Sequence, residues 1–452
     1  MIIKRKVYDK LLSWKNTHKG KKAVLIEGAR RIGKSTIAEE FARNEYRSYI
    51  LVDFNLASKN VRNLFDDLTN LDIFFQALSL EYNTRLYRRE SLIIFDEIQK
   101  FPKAREAVKY LVADGRYDYL ETGSLISIRE SVENITIPSE ERKLKMYPLD
   151  FEEFAEFMGE EILLEHIRDC WEKKVPLERP IHGRAMRLFK EYMLVGGMPQ
   201  AVLAYKENDR DFAAADIEKR DILELYRDDI KKSAKRYSSK VSAVFENIPG
   251  YLSKHEKKIV LSEIDKNGTF DKYDEPLFWL DDSMICNLCY RCSDPNVGFA
   301  LNMENSSVKC YMGDTGLLVS LAFGENELAE NNLYKQIMEG RLSINQGMLY
   351  ENAIAQMIIA KGKKLYFYTR YNRDKHRNDI EIDFLLSNDS KVNFKIMPLE
   401  VKSSTNYSAS SLGEFSKMYK RRISESYIIH PKNLSVTVEV TKIPPYMFFA
   451  AF

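Results

Sequence analysis

Short apolar runs of strand length alternate with helical patterns through the first third of the chain. KKAVLIEG, SYILVDF, SLIIFDE and YDYLETGS read as strands, one helix begins at Ser35, and another runs from Ala104 to Ala113. Runs that are apolar throughout, rather than alternating, belong to strands covered on both faces, so the pattern predicts a parallel sheet in an α/β domain over residues 1–147. From Pro148 the period becomes helical. DFEEFAEFMGEEILLEHIRDCW, RAMRLFKEYMLVGGMPQAVLAY and the charged IEKRDILELYRDDIKKSAKRY form a helical lid or linker, residues 148–236. Residues 237–322 combine the helical segments VSAVFENIPGYL and EKKIVLSEI with a hairpin expected about Glu304-Asn305-Ser306, a mix that suits a winged-helix-like module. After the polar stretch GENELAENN, the helix GMLYENAIAQMIIAKG leads into the strand-like runs KLYFYTRY, EIDFLLS and FKIMPLEVKSS, a second α/β unit over residues 333–452.

Composition narrows the classes. The 452 residues carry 69 Lys and Arg against 67 Asp and Glu, a formal net charge of +2, with 30% charged and 44% hydrophobic residues. That is ordinary globular composition, which disfavours disorder and a strongly basic coat while permitting local basic faces. MIIKRKVYDKLLSW holds no signal-peptide core and no run approaches the roughly eighteen apolar residues of a membrane span, so the expectation is a cytoplasmic chain with no membrane partner. Five cysteines without an export signal are expected as reduced thiols.

Candidate chemistry begins at Gly28-Ala29-Arg30-Arg31-Ile32-Gly33-Lys34-Ser35, which fits G-x-x-x-x-G-K-[ST] and lies between an apolar strand and a helix. Gly28 and Gly33 let backbone N–H groups close around phosphate oxygens, together with Arg30, Arg31 and Thr36 on the same turn. Lys34 would reach the β and γ phosphates of ATP, and Ser35 would ligate Mg²⁺. The second motif is Leu92-Ile93-Ile94-Phe95-Asp96-Glu97. A buried strand ending in acids delivers Asp96 to the Mg²⁺ and Glu97 to the attacking water, unless the pair merely caps the next helix. Thr122-Gly123-Ser124 ends the next strand, where the Ser124 hydroxyl either senses the γ phosphate or belongs to a plain turn. Arg30, Arg31, Arg142 and Arg227 are all available as arginine fingers, and that role stays open.

Near the other end, Glu351 on a helix, Asp383 ending an alternating strand and Glu400-Val401-Lys402 on the next strand form a nuclease-like set. The period of two puts Glu400 and Lys402 on one face. Asp383 and Glu400 would bind a second divalent metal, Glu351 would complete the shell, and Lys402 would offset charge on a phosphodiester transition state. A degenerate nuclease used for binding, or a solvated strand face, fits the same residues.

The ordered motifs GARRIGKST, LIIFDEIQ, ETGS, YPLDFEEF, YMLVGGMPQAV, YRDDI, YMGDTGLL and YEN with EIDF and LEVKS resemble a known family. It is the prokaryotic AAA-type (archaeal-type) ATPases that carry a C-terminal domain of uncharacterised function with a restriction-endonuclease-like core. The resemblance spans nearly the whole chain. It implies a P-loop AAA-type parallel sheet domain, a helical lid and winged-helix middle, and an endonuclease-like α/β end, with ATP and Mg²⁺ as ligands. The chain departs from the family pattern at Glu141, where Gly usually precedes the arginine, and in the basic insert YNRDKHRND.

Other signals allow two readings each. Cys286, Cys289, Cys292 and Cys310 have spacings that suit a metal, but read as a helix the segment MICNLCYRC suits buried thiols. The basic clusters at 231–236 and 254–258 either track a DNA backbone or form solvated helix faces. Two functional hypotheses follow. One is a Mg²⁺-dependent ATPase whose cycle moves a winged-helix and nuclease-like half that engages DNA. The other is a nucleotide-gated module with slow hydrolysis and a catalytically inactive nuclease-like domain, acting through a protein partner or self-association.

Overall fold

The computed structural model describes residues 3–124, 139–254, 256–266, 268–323, 331–339, 346–372, 374, 376–388 and 395–452. Of the sequence features above, most of GENELAENN, His255 in the second basic cluster, and Arg373 and Lys375 of the basic insert lie outside the described residues. The chain divides into two compact units, residues 1–147 with 282–284, and residues 148–281 with 285–452.

In the first unit, β1 (Ala23–Glu27), β2 (Ser48–Asp53), β3 (Ser91–Asp96), β4 (Asp118–Gly123) and β5 (Glu141–Lys145) form one sheet in the order β2-β3-β4-β1-β5. Every pairing is parallel. All residues of β1, β3 and β4 are buried, as the unbroken apolar runs require. One face packs Leu25, Ile93, Phe95 and Tyr119 against Ala104, Val108 and Leu111 of the helix Pro102–Asp114. The strand β5 has no counterpart in the hydrophobic pattern. ERKLK buries one residue, Leu144, because an edge strand faces solvent and needs little apolar content. Since β1 lies between β4 and β5 while the chain passes from β1 to the far edge strand β2, the carboxyl ends of β1, β3 and β4 open the crevice where α/β sheets bind ligands.

The second unit begins with helices: Phe151–Phe157, closed by a capping box between Asp150 and Glu153, then Glu161–Lys173, Arg179–Val195, Pro199–Glu207 and Phe212–Ser233. Its strands fall into two sheets. β6 (Cys286–Cys292), β7 (Met303–Met312), β8 (Leu365–Asn372) and β9 (Arg377–Ile382) run in the order β7-β6-β8-β9. β10 (Phe384–Asn388), β11 (Lys395–Val401), β12 (Tyr427–Ile429), β13 (Ser435–Val436) and β14 (Thr441–Ile443) run β10-β11-β12-β14-β13. Asp383 is the single residue between β9 and β10, where the chain leaves one sheet for the other.

Three expectations change here. MICNLCYRC supplies the strand β6, not a helix. The hairpin expected at Glu304-Asn305-Ser306 is absent, because β7 is one ten-residue strand. Tyr290 pairs with Val308 and Arg291 with Glu304, so residues 305–307 bulge out of the ladder and take up the turn-forming residues. A wing needs a free hairpin, whereas β6 also pairs with β8, so one sheet crosses the boundary expected between residues 322 and 333.

Candidate functional site

The loop between β1 and the helix Lys34–Glu45 is shaped by its two glycines. A Cβ on Gly28 would lie 2.5 Å from the Met146 carbonyl oxygen, so the approach of the chain after β5 requires glycine there. Gly33 caps the helix at φ 87°, and Arg31 precedes it at φ 68°. The first N–H groups of a helix have no intrahelical partner and carry its positive dipole end, so this turn presents donors to an anion. Lys34 is buried, and its Nζ donates to the carbonyl oxygens of Gly28 at 3.1 Å and Ala29 at 2.8 Å. Burial lowers the Lys34 ammonium to about 8, against the opposing pull of Glu97 and Asp96. Arg30, Arg31 and Thr36 are exposed around the turn.

Opposite the loop, Asp96 ends β3 and is buried. Its Oδ1 accepts from the Ser35 hydroxyl at 2.7 Å and from the hydroxyl of Thr122 at the end of β4. The two residues expected to hold Mg²⁺ therefore touch. The donor set of one hydroxyl and one carboxylate is the all-oxygen kind that Mg²⁺ takes. Glu97 follows in the left-handed region, φ 54°, which turns its half-buried side chain out of the strand. Its Oε2 accepts from Gln99 Nε2 at 2.5 Å, and its N–H donates to Thr122 Oγ1 at 3.3 Å. Thr122 joins both acids, a role the sequence had not assigned. Ser124 stands half-buried one residue beyond β4. Glu141, where the family pattern differs, is bound by both Nε and Nη2 of buried Arg105, at 3.1 and 2.9 Å. Arg142 is exposed beside His18.

In the second unit the structure brings Glu351, Asp383, Glu400 and Lys402 into one cluster, and adds four residues that sequence reasoning missed. Buried Glu351 accepts from the Tyr311 hydroxyl on Oε1 and from Lys257 on Oε2, and Lys309 Nζ lies 3.2 Å from Oε1. Lys309, wholly buried, also faces Glu381 at 3.5 Å and Asp383 at 3.8 Å. Asp383 Oδ2 accepts the Val401 N–H at 2.8 Å, and Lys402 Nζ sits 3.1 Å from Glu400 Oε2. The period of two in Lys309-Cys310-Tyr311 and in Glu381-Ile382-Asp383 would have paired these residues on one face. Lys257 belongs to the basic cluster 254–258, but nothing in the sequence tied it to Glu351; its loop is anchored by the Ile259 N–H bond to the Val308 carbonyl at 3.0 Å.

Charge in this cluster is balanced by its own members. Burial alone would raise the Glu351 carboxyl, but Lys257 and Lys309 hold it well below the usual carboxylate range. Burial would likewise lower Lys309, yet Glu351, Glu381 and Asp383 keep its ammonium above the usual lysine range. Glu400 is pushed up to about 7 by burial, with Lys402 opposing and Asp383 adding. Among the described residues, no group of three or more His, Cys, Asp or Glu side chains is arranged to hold a metal ion. The second metal site expected here therefore finds no support. The four cysteines of the other candidate set are all buried with free thiols. Burial raises the thiols of Cys286, Cys289 and Cys292.

Residues 20–155 match the family model of an AAA domain. Residues 186–328 and 346–447 match two models of domains of unknown function, DUF8612 and DUF4143. No functionally curated protein matches the chain. Among solved structures, the Walker-type ATPase PABY2304 of Pyrococcus abyssi is similar at 16% identity over 71% of this chain and 96% of its own, with a TM-score of 0.41. DnaA from Aquifex aeolicus, bound to AMPPCP, is similar at 11% identity over 63% and 85%, TM-score 0.26. The RuvB Holliday junction branch migration motor of Thermotoga maritima is similar at 14% over 36% and 52%, TM-score 0.23. Superpositions this loose carry no weight for function. Among the described residues no helix is long and apolar enough to cross a membrane. The five-stranded parallel sheet, the phosphate-type loop after β1 and the matched family model together make the first unit an AAA-type ATPase domain.

Proposed function

We propose that the protein is a Mg²⁺-dependent ATPase whose nucleotide cycle governs the action of its second unit. The observation that carries this reading is the contact of Ser35 with Asp96 at 2.7 Å beside buried Lys34, which brings a hydroxyl, a carboxylate and an ammonium together at one loop. Gly28, Arg30, Arg31, Gly33 and Thr36 would line the phosphates, and Lys34 would exchange the carbonyls of Gly28 and Ala29 for β and γ phosphate oxygens. Ser35 and Asp96 would hold Mg²⁺, which when bound offsets the charge developing on the transferred phosphoryl group. Glu97 would orient the attacking water, steadied by Gln99, and Ser124 would sense the γ phosphate. The test is ATP hydrolysis by the purified chain, abolished in Asp96→Asn.

The second unit engages DNA in this reading. Lys231, Lys232, Lys235 and Arg236 are exposed along the end of a helix. Lys231 and Arg236 stand 3.9 and 3.5 Å from Asp228 and Glu275, exposed pairs weak enough for phosphates to displace. Fluorescence anisotropy of a labelled duplex at low and moderate salt tests this, with Lys231→Glu/Lys232→Glu expected to weaken binding.

A second reading concerns cleavage. The endonuclease-like arrangement of Glu351, Asp383, Glu400 and Lys402 does not imply cutting. The neutralisation of Glu351 and Asp383 by Lys309 favours a catalytically inactive centre in a regulatory or protein-interaction module.

A further inference from the structure

Of the oxygens that a divalent ion would need, both of Glu351 are already committed, whereas those of Glu400 accept no hydrogen bond. Glu351 offers Oε1 to Tyr311 and Lys309 and Oε2 to Lys257. Asp383 spends Oδ2 on the Val401 N–H and turns Oδ1 towards Lys309 at 3.8 Å. Glu400 faces Lys402. The four carboxylates Glu351, Glu381, Asp383 and Glu400 meet three ammonium groups, Lys257, Lys309 and Lys402, which leaves at most one uncompensated negative charge. A divalent ion added to that set would overshoot neutrality in a buried place. It would also need oxygens at about 2.0–2.1 Å in a near-octahedral shell, in the space the Lys309 ammonium fills.

We propose that the Lys309 ammonium occupies the position between Glu351 and Asp383 that a divalent cation would take, so that this centre is closed to Mg²⁺ and Mn²⁺ and opens only when that ammonium is removed. The inference rests on the reading of this centre as non-cleaving and goes beyond it by naming the group that keeps the ion out. Displacing the ammonium is costly, because Lys309 is wholly buried on β7 and its removal would leave the facing carboxylates without their counterion. Tyr311, two residues on, and Lys257, from the loop beside β7, close the same carboxylate from its other sides.

The experiment is Mn²⁺ binding to the nucleotide-free full chain, read by loss of the free-ion signal in electron paramagnetic resonance, with Asp383→Asn run beside each protein to assign the ion. The wild type is expected to bind no Mn²⁺ that depends on Asp383 up to millimolar concentration. Lys309→Met, which keeps the length of the stem and deletes the charge, is expected to gain about one Asp383-dependent ion per chain, an affinity gain of at least tenfold. Lys309→Arg, which retains the cation, is expected to gain none. Asp383-dependent Mn²⁺ binding by the wild type overturns the inference, and so does a folded Lys309→Met chain without the ion. Should Lys309→Met not fold, Lys309→Gln, which also deletes the charge, is measured in its place, with the same gain expected and its absence overturning the inference. Plasmid cleavage with Mn²⁺ is scored separately. Wild-type cleavage lost in Asp383→Asn removes the non-cleaving reading itself, whereas Mn²⁺ binding without cleavage removes only the assignment of Lys309.

Discussion

Two buried lysines, one in each unit, stand beside carboxylates and are used in opposite ways. Lys34 is held by the backbone carbonyls of Gly28 and Ala29, while the nearby Asp96 bonds to hydroxyls. Neither ammonium nor carboxylate is consumed by the other, so an anion and a cation can each be added. Lys309 is held by carboxylates directly, and Glu351 accepts a second ammonium and a phenol besides. There the charges have cancelled one another. The contrast teaches that residue types alone do not make an ion site; what matters is whether the neutral backbone or the ionised side chains satisfy the lysine. Neutral partners leave the carboxylate available, and charged partners use it up.

The sharpest way to break the comparison is to strike the group at each site that does the most. Glu97→Gln should lower ATP turnover by about 10²- to 10⁴-fold while leaving ATP affinity unchanged, because only the orientation of water is lost. Single-turnover hydrolysis beside equilibrium binding measures both, and equal turnover would move that role to another residue. In the second unit, Glu351→Gln leaves Lys309 and Lys257 without their shared counterion. Breaking a buried pair in this way costs about 3–5 kcal/mol, expected as an earlier unfolding transition in urea. A cost below about 1 kcal/mol would mean that the cluster is solvated and the contrast with Asp96 misplaced. Lys34→Ala comes next in size. It removes a charge-assisted contact to phosphate worth about 1.5–3 kcal/mol, so ATP affinity should fall about 10- to 150-fold by titration calorimetry.

How much of this was legible from the sequence differs between the units for the same physical reason. The first unit is built from local signals. Apolar runs gave β1 to β4, and a contiguous eight-residue loop placed Lys34 and Ser35 at the end of β1, two places along the sheet from β3, which ends in Asp96. Even there β5 escaped notice, since an edge strand needs no apolar pattern. The carboxylates of the second unit were legible because strand periodicity paired Glu400 with Lys402. What neutralises them was not, because Lys309 reaches Glu351 across 42 residues and Lys257 across 94. Such contacts are set by which strands become neighbours, and that order put residues 286–292, for which a helical reading had suited buried thiols, on the strand β6. Cysteines spaced by three suggested a helical face, yet on a strand that spacing sends Cys286 and Cys289 to opposite sides.

The smallest expected effect is also the one that separates the two lysines most directly. Burial holds Lys34 at about 8, below its ordinary 10.5, so the folded chain binds that proton less tightly than the unfolded chain does. The sign follows: burying the ammonium costs stability in full below pH 8, and the cost is relieved as pH rises from 8 towards 10.5. A phosphate arriving beside Lys34 favours the charged form, so binding ATP near pH 8 must take up a proton. With the free loop half neutral at pH 8, ATP affinity should fall only about twofold between pH 7 and 8, and about tenfold by pH 9. Calorimetry at pH 8 in two buffers of different ionisation enthalpy should report an uptake of about half a proton, absent in Lys34→Met. Lys309 is held above the ordinary lysine range by its carboxylates, so it exchanges no proton in this window. An uptake that persists in Lys34→Met would show that the proton belongs to another group, and the backbone-held lysine would then differ from the carboxylate-held one in geometry alone.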